Sequence, residues 1–229
     1  MISGYLSELA ETLSFDRALA RRVVREVEDH LCEAIAADRA RDGLQAERRA
    51  IANFGDPHRL AAQFAVVSLA WQIRRVGIAI VLAIASVLVA MQARLAWYDV
   101  MQWTMSQDGR ALGAIVIAID RWAFWLAVVL GAGGLGYILH YRRSAAFYPE
   151  YRKHYRRALL LCAGAAGSLI VSVTSDGVLT ALRVGTDLCA GALVPIVSVA
   201  VEIACAGAVI FLISRTRRRA ACTQALLRM

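Results

Sequence analysis

Paired cysteines are missing from this chain, lysine is nearly so, and no catalytic signature stands in their place. The five cysteines (Cys32, Cys162, Cys189, Cys205 and Cys222) form no CxxC pair and are odd in number. That pattern argues against a disulfide framework or a zinc site and leaves them as small hydrophobes. One lysine stands against twenty-five arginines, a bias we attribute to GC-rich coding rather than to mechanism. GxSxG, HExxH and P-loop motifs are all absent, so no enzyme, metal or cofactor is expected. The first 64 residues also lack an apolar h-region, so no cleavable signal peptide is expected.

What the chain has in excess is apolar sequence, 59% of 229 residues with a mean hydropathy of +0.53, too much for an ordinary soluble domain. Its charge is unevenly divided. Residues 1–64 carry nine Arg against eleven Asp and Glu, a net of −2, whereas the remainder carries seventeen Lys and Arg against seven acids, a net of +10. Direct nucleic-acid binding would need a basic face on a folded domain, and the only charge-dense domain here is slightly acidic.

A change of character near residue 74 separates the two parts. Beyond it lie four apolar segments, at about 76–93, 120–139, 158–174 and 188–214, with Arg94 closing the first and Trp122 to Leu139 forming the uncharged part of the second. Each has roughly the 17–25 residues that a membrane-crossing helix needs, and open strands are excluded in lipid. Residues 111–119 are apolar too, and either form an outer interfacial helix or extend the second segment. Arginines crowd the 140–157 loop (Arg142, Arg143, Arg152, Arg156 and Arg157, with Lys153) and the 215–229 tail (Arg215, Arg217, Arg218, Arg219 and Arg228). The 175–187 loop has Arg183 alone beside Asp176 and Asp187. The positive-inside rule then places both termini in the cytoplasm of an inner membrane. Trp97, Trp103, Trp122 and Trp125 fall near the expected outer interface as an aromatic belt. The Tyr- and Arg-rich loop at 141–157 also suits anionic lipid headgroups.

Helical periodicity marks the amino-terminal part. Leu6, Leu9 and Leu13 make one apolar face, and a second helix is expected from Ser14–Asp16 to Gly43 as its C′ glycine, with Leu19, Val23, Val27 and Leu31 at spacing four. Ala46, Ala50, Ile51 and Phe54 mark a third helix. The turn Phe54-Gly55-Asp56-Pro57 then reads as an inward aromatic, a helix stop, an N-cap and a proline at N1. A helix with Leu60, Phe64 and Val67 leads on through a linker at 67–75. The predicted fold class is all-α: a small helical bundle with a thin core, then four transmembrane helices.

YLSEL at 5–9, REVEDHLCEAI at 25–35, Gly43 and AIANFGDPHRLAAQF at 50–64 together resemble the HAAS signalling domain, over residues 1–66. The resemblance implies a cytosolic helical bundle fused to membrane helices and often associated with a PadR-like winged-helix regulator.

Three sets of residues stand out. Glu26, Asp29, His30 and Glu33 lie on neighbouring helical positions and form either a solvated face or a partner-binding face; a metal site there lacks the paired His or Cys ligands such sites use. Glu202 lies 13 residues before Arg215, about 19 Å along a helix and so near the bilayer midplane. A charge there costs roughly 2.5–3.5 kcal/mol, so Glu202 is expected either to be protonated and bonded to Ser168, Ser172 or another bundle residue, or to handle an ion or proton. No second intramembrane acid or base is expected beside it. Gly131, Gly133 and Gly136 match GxGxxG, but inside an apolar span this reads as close helix packing, as do Ala163/Gly167 and Ala204/Ala208.

The leading expectation is a membrane-anchored signalling protein whose helical domain binds a cytosolic regulator. The alternative is an accessory subunit of a transporter or other membrane-protein complex, or a homo-oligomer, with Glu202 as its polar centre.

Overall fold

A computed structural model of the chain describes residues 1–38, 43–102, 107–140, 148–184 and 190–227, with the side chains of 107–109, 148–152 and 190 left aside. Among the described residues the fold is all-α. Its helices are α1 (Ile2–Thr12), α2 (Arg17–Ala37), α3 (Gly43–Phe54), α4 (Pro57–Val100), α5 (Gln107–His140), α6 (Tyr148–Val184) and α7 (Leu193–Leu226), with a short 3-10 turn at Ala190–Ala192. The chain divides into two compact units, Met1–Gln72 with Thr216–Met229, and Ile73–Arg215.

The first unit is built on the apolar faces expected of α1 and α2. Leu9, Leu13, Leu19, Val23, Val27 and Leu31 are buried with Tyr5, Ala50, Ala61 and Ala65, and Phe54 and Phe64 pack against them. Val67 is exposed; the inward positions around it are Ala65 and Val66, because the stripe on α4 follows the α-helical period. Asp16 starts α2 by accepting the N–H groups of Ala18 and Leu19 at 3.3 and 3.4 Å, an N-cap that satisfies two orphan donors. Its other oxygen pairs with Arg219 at 2.9 Å. Arg219 belongs to the last turns of α7, where Thr216, Ala220 and Thr223 are also buried. Glu47 of α3 accepts the Ile2 N–H at 2.6 Å and meets the Met1 ammonium at 3.0 Å. The backbone bond first, then the ammonium, hold its carboxyl below the usual carboxylate range.

Gly43 opens α3; the α2 helix stops earlier, at Ala37. Gly55 does adopt the left-handed conformation, with φ of +79°, and its N–H donates to Ile51 O at 3.1 Å, the bond of an αL helix stop. Asp56 then accepts the His58 N–H at 3.2 Å and starts α4.

The second unit contains the apolar stretches of α4 to α7, four helices long and apolar enough to cross a membrane. They fit a membrane protein. Large apolar side chains such as Leu82, Val89, Ile115, Trp122, Leu193 and Phe211 face outward, while Ile80, Ile84, Val87, Phe124, Ala127, Cys162, Ala165 and Leu169 form the interior. Helices apolar on all sides are the form that lipid favours.

Several boundaries differ from expectation. Residues 111–119 extend α5, which puts Trp122 and Trp125 well inside that helix rather than at its end. α6 runs from Tyr148 to Val184, so parts of the expected 140–157 and 175–187 loops, residues 148–157 and 175–184, are helical. The reason is periodic: Asp176, Thr180 and Arg183 interrupt the apolar run yet share one helix face. Trp103, Arg142, Arg143, Asp187, Leu188, Cys189 and Arg228 lie outside the described residues.

Of the three glycines in GxGxxG, Gly131 alone sits at a close contact, where an added Cβ would meet Ile84 Cδ1 at 2.8 Å and Ile80 Cγ2 at 3.2 Å; Gly133, Gly136 and Gly167 face open space. Ala204 and Ala208 are exposed as well. Their small-residue spacing is not used within this chain.

Replacing Arg219 with Ala leaves the nearly buried Asp16 carboxylate with two long N–H contacts only. A loss of about 1.5–3 kcal/mol is expected, measured as a lowered thermal midpoint of the full chain in detergent by circular dichroism.

Candidate functional site

Two groups of polar side chains stand apart from the packing. The first lies inside the second unit. Arg94, which ends the apolar run of α4 in sequence, is not at a helix end; α4 continues to Val100 and the arginine is 2% exposed. Side chains on a helix lean toward its N-terminus, so Arg94 reaches back along α4 into the bundle. Its Nη2 lies 2.5 Å from Asp176 Oδ2 on α6 and 3.2 Å from Glu202 Oε1 on α7. Glu202 is 0% exposed. On α5, Asp120 is buried and accepts the Ser172 hydroxyl of α6 at 2.6 Å. All four membrane-capable helices thus contribute an ionisable side chain, and the expectation that Glu202 has no charged companion is corrected.

The hydroxyl beside Glu202 belongs to neither Ser168 nor Ser172 but to another bundle residue. Ser198, one turn before Glu202, donates to Ala90 O at 2.9 Å and lies 3.4 Å from Glu202 Oε1. Ser172 serves Asp120 instead. The Arg94 contacts are close without being aligned as hydrogen bonds, and Arg94 Nη1 and Glu202 Oε2 are buried with no hydrogen-bonding partner. One turn further along both helices, the Tyr98 hydroxyl donates to Thr180 at 3.2 Å, and the Arg183 guanidinium stacks 4.7 Å from the centre of the Tyr98 ring, within cation–π range. Trp97 Nε1 donates to Gly191 O at 2.9 Å.

Only Glu202 of this group was recognised from sequence. Arg94 read as the flank of a segment, Asp120 as part of a charged border, and Asp176 and Arg183 as loop residues. A signal was present: Ser172, Asp176, Thr180 and Arg183 are spaced to share one helix face, and Arg94/Tyr98 and Ser198/Glu202 repeat the i, i+4 interval.

The second group is on the first unit. Glu26, Asp29, His30 and Glu33 are all exposed on α2, opposite the buried Val23, Val27 and Leu31 stripe. His30 Nδ1 and Glu33 Oε2 are 3.3 Å apart, a surface pair with little energetic weight. Phe54, Gly55, Asp56 and Pro57 form the α3–α4 turn described above. Beside it, Glu8 meets His58 at 3.2 Å. Among the described residues no group of three or more His, Cys, Asp or Glu side chains is arranged to hold a metal ion.

Comparison with protein families supports the first unit's identity. Residues 4–63 match the HAAS family model, so the chain carries an HAAS domain followed by four apolar helices. Neither the curated proteins nor the solved structures compared with it produce a match. An HAAS domain suggests a regulatory, protein-interaction role, and no enzyme family is indicated.

Replacing Arg94 with Leu strands Asp176 and Glu202 as buried charges. Destabilisation of about 3–5 kcal/mol is expected, read from unfolding in bicelles. Replacing Arg94, Asp176 and Glu202 together with Leu should recover most of that loss, because of the four ionisable groups only Asp120 then remains, and it keeps its Ser172 hydroxyl.

Proposed function

We propose that this is a membrane-anchored regulatory protein whose HAAS domain binds a PadR-like transcription regulator on the cytoplasmic side. The observation that carries this reading is the HAAS match at residues 4–63 ahead of four membrane-capable helices. The partner face is Glu26, Asp29, His30 and Glu33: exposed, acidic in balance, and carried on a helix whose opposite side is committed to the core. Removing these side chains therefore leaves the bundle's interior intact. The arginines of the 140–157 region and of the tail place both termini in the cytoplasm of the inner membrane by the positive-inside rule, where such a regulator resides, and they also meet anionic lipid headgroups. A domain with a thin core is easily biased by a ligand or partner that favours one of its states.

The test is co-purification of the regulator with the full chain. Substituting Glu26, His30 and Glu33 together with Ala should reduce recovery at least tenfold, a change of about 1.4 kcal/mol in binding. Unchanged recovery from a variant of unaltered helicity removes this face from the interface.

A second reading is an accessory subunit of a transporter or other membrane-protein complex, favoured by the buried charges on all four apolar helices. Glu202→Gln separates the two. Under the regulatory reading it leaves regulator recovery intact. Recovery that persists while an ion flux or the yield of a larger membrane complex disappears makes the second reading prevail.

A further inference from the structure

The charges inside the second unit do not balance. Arg94 carries one positive charge at any physiological pH, and three carboxyls lie near it: Asp176 and Glu202 in direct contact, and Asp120, which is hydrogen-bonded to Ser172 one turn before Asp176 on α6. If all three were ionised the group would hold two uncompensated negative charges, in a bundle whose exterior is apolar. Such charge in a lipid-facing bundle is resolved by neutralisation or by a partner. The other ionisable groups facing this region are Tyr98 on α4, whose hydroxyl is used by Thr180, and Arg183 on α6, which stacks on the Tyr98 ring and acts on Asp176 through its charge without an ion-pair contact.

The three carboxyls are not equally compensated. Asp176 holds the nearest Arg94 contact, at 2.5 Å. Asp120 holds a 2.6 Å hydroxyl. Glu202 holds the longer contacts, 3.2 Å to Arg94 and 3.4 Å to Ser198, both through Oε1. Its Oε2 is shut off from solvent with no donor at all.

We propose that Asp120, Asp176 and Glu202, gathered from three helices about Arg94, form a proton-binding site within the second unit, with Oε2 of Glu202 as the atom that takes the proton. A proton arriving from water forms one O–H bond on the carboxylate and removes one negative charge; nothing is oxidised and no other reactant is needed. A metal cation fits this site less well. The Arg94 guanidinium occupies the centre of the group and repels a second cation, and the acid oxygens are not arranged as metal ligands. The inference concerns the second unit alone and does not depend on which partner the HAAS domain binds.

Infrared spectroscopy of the full chain in phosphatidylcholine vesicles, in sodium-free potassium buffer, tests it directly. At about pH 6, where an exposed carboxyl is ionised, the chain should show a carboxylic-acid C=O stretch that is lost in Glu202→Gln and kept in Asp120→Asn. Absence of that band, its persistence in Glu202→Gln, or its loss on adding sodium at constant pH would each overturn the proposal, the last in favour of a sodium site. Should Glu202→Gln lose its native helicity, Glu202→Asp serves in its place. A shifted acid band supports the assignment to residue 202, and an unshifted one overturns it.

Discussion

A guanidinium cannot shed its proton inside a protein, so an arginine buried among apolar helices obliges its surroundings to supply negative charge. Arg94 imposes that requirement on the second unit; Asp176 meets it from α6, and Glu202 adds a longer contact from α7. Removing one member of such a group leaves the others as isolated buried charges, far costlier than the pair is favourable. The arrangement also ties helices whose outward surfaces are largely apolar. Between such helices there is no hydrophobic driving force in a bilayer, and packing and polar contacts must hold them together. Ile80 and Ile84 closing on Gly131 supply the packing. Arg94, Asp120 and Ser198, bonding across helices, supply the polar part.

In the first unit the balance is reversed. A small apolar core does most of the holding, and charges work at its edges. Asp16 is the clearest case, since one carboxylate both caps α2 and receives Arg219 from the far end of the chain. The arginine-rich tail therefore has a packing role. Meanwhile α2 keeps its acidic side, from Glu26 to Glu33, free of the core. A helix divided this way can present one face to a partner without disturbing the other.

Much of this was legible in the residues themselves. The stripe of Leu19, Val23, Val27 and Leu31, the Gly55 stop and the Asp56 cap are local signals, each governed by a few neighbouring positions, and each is found in the structure. The ends of the apolar helices were less legible. A run of hydrophobic residues stops at its first charge, whereas a helix stops only when its backbone bonds do, so Arg94, Asp120 and Asp176 read as borders although the helices continue past them. Glu202 stood out because its depth could be counted from Arg215, but the group it joins could not be counted from anywhere.

By itself, then, the sequence determined the all-α class, the division into a charge-dense domain and four apolar helices, and the HAAS character of the first part. Periodicity, composition and short motifs are properties of contiguous residues. Only the tertiary structure decided that Arg94, Asp120, Asp176 and Glu202 are companions, that Ser172 serves Asp120 while Ser198 reaches Ala90 O, and that Arg219 closes on Asp16. These pairings join positions 52 to 203 residues apart. They depend on how helices turn their faces toward one another, a property of the packed bundle that no single segment carries.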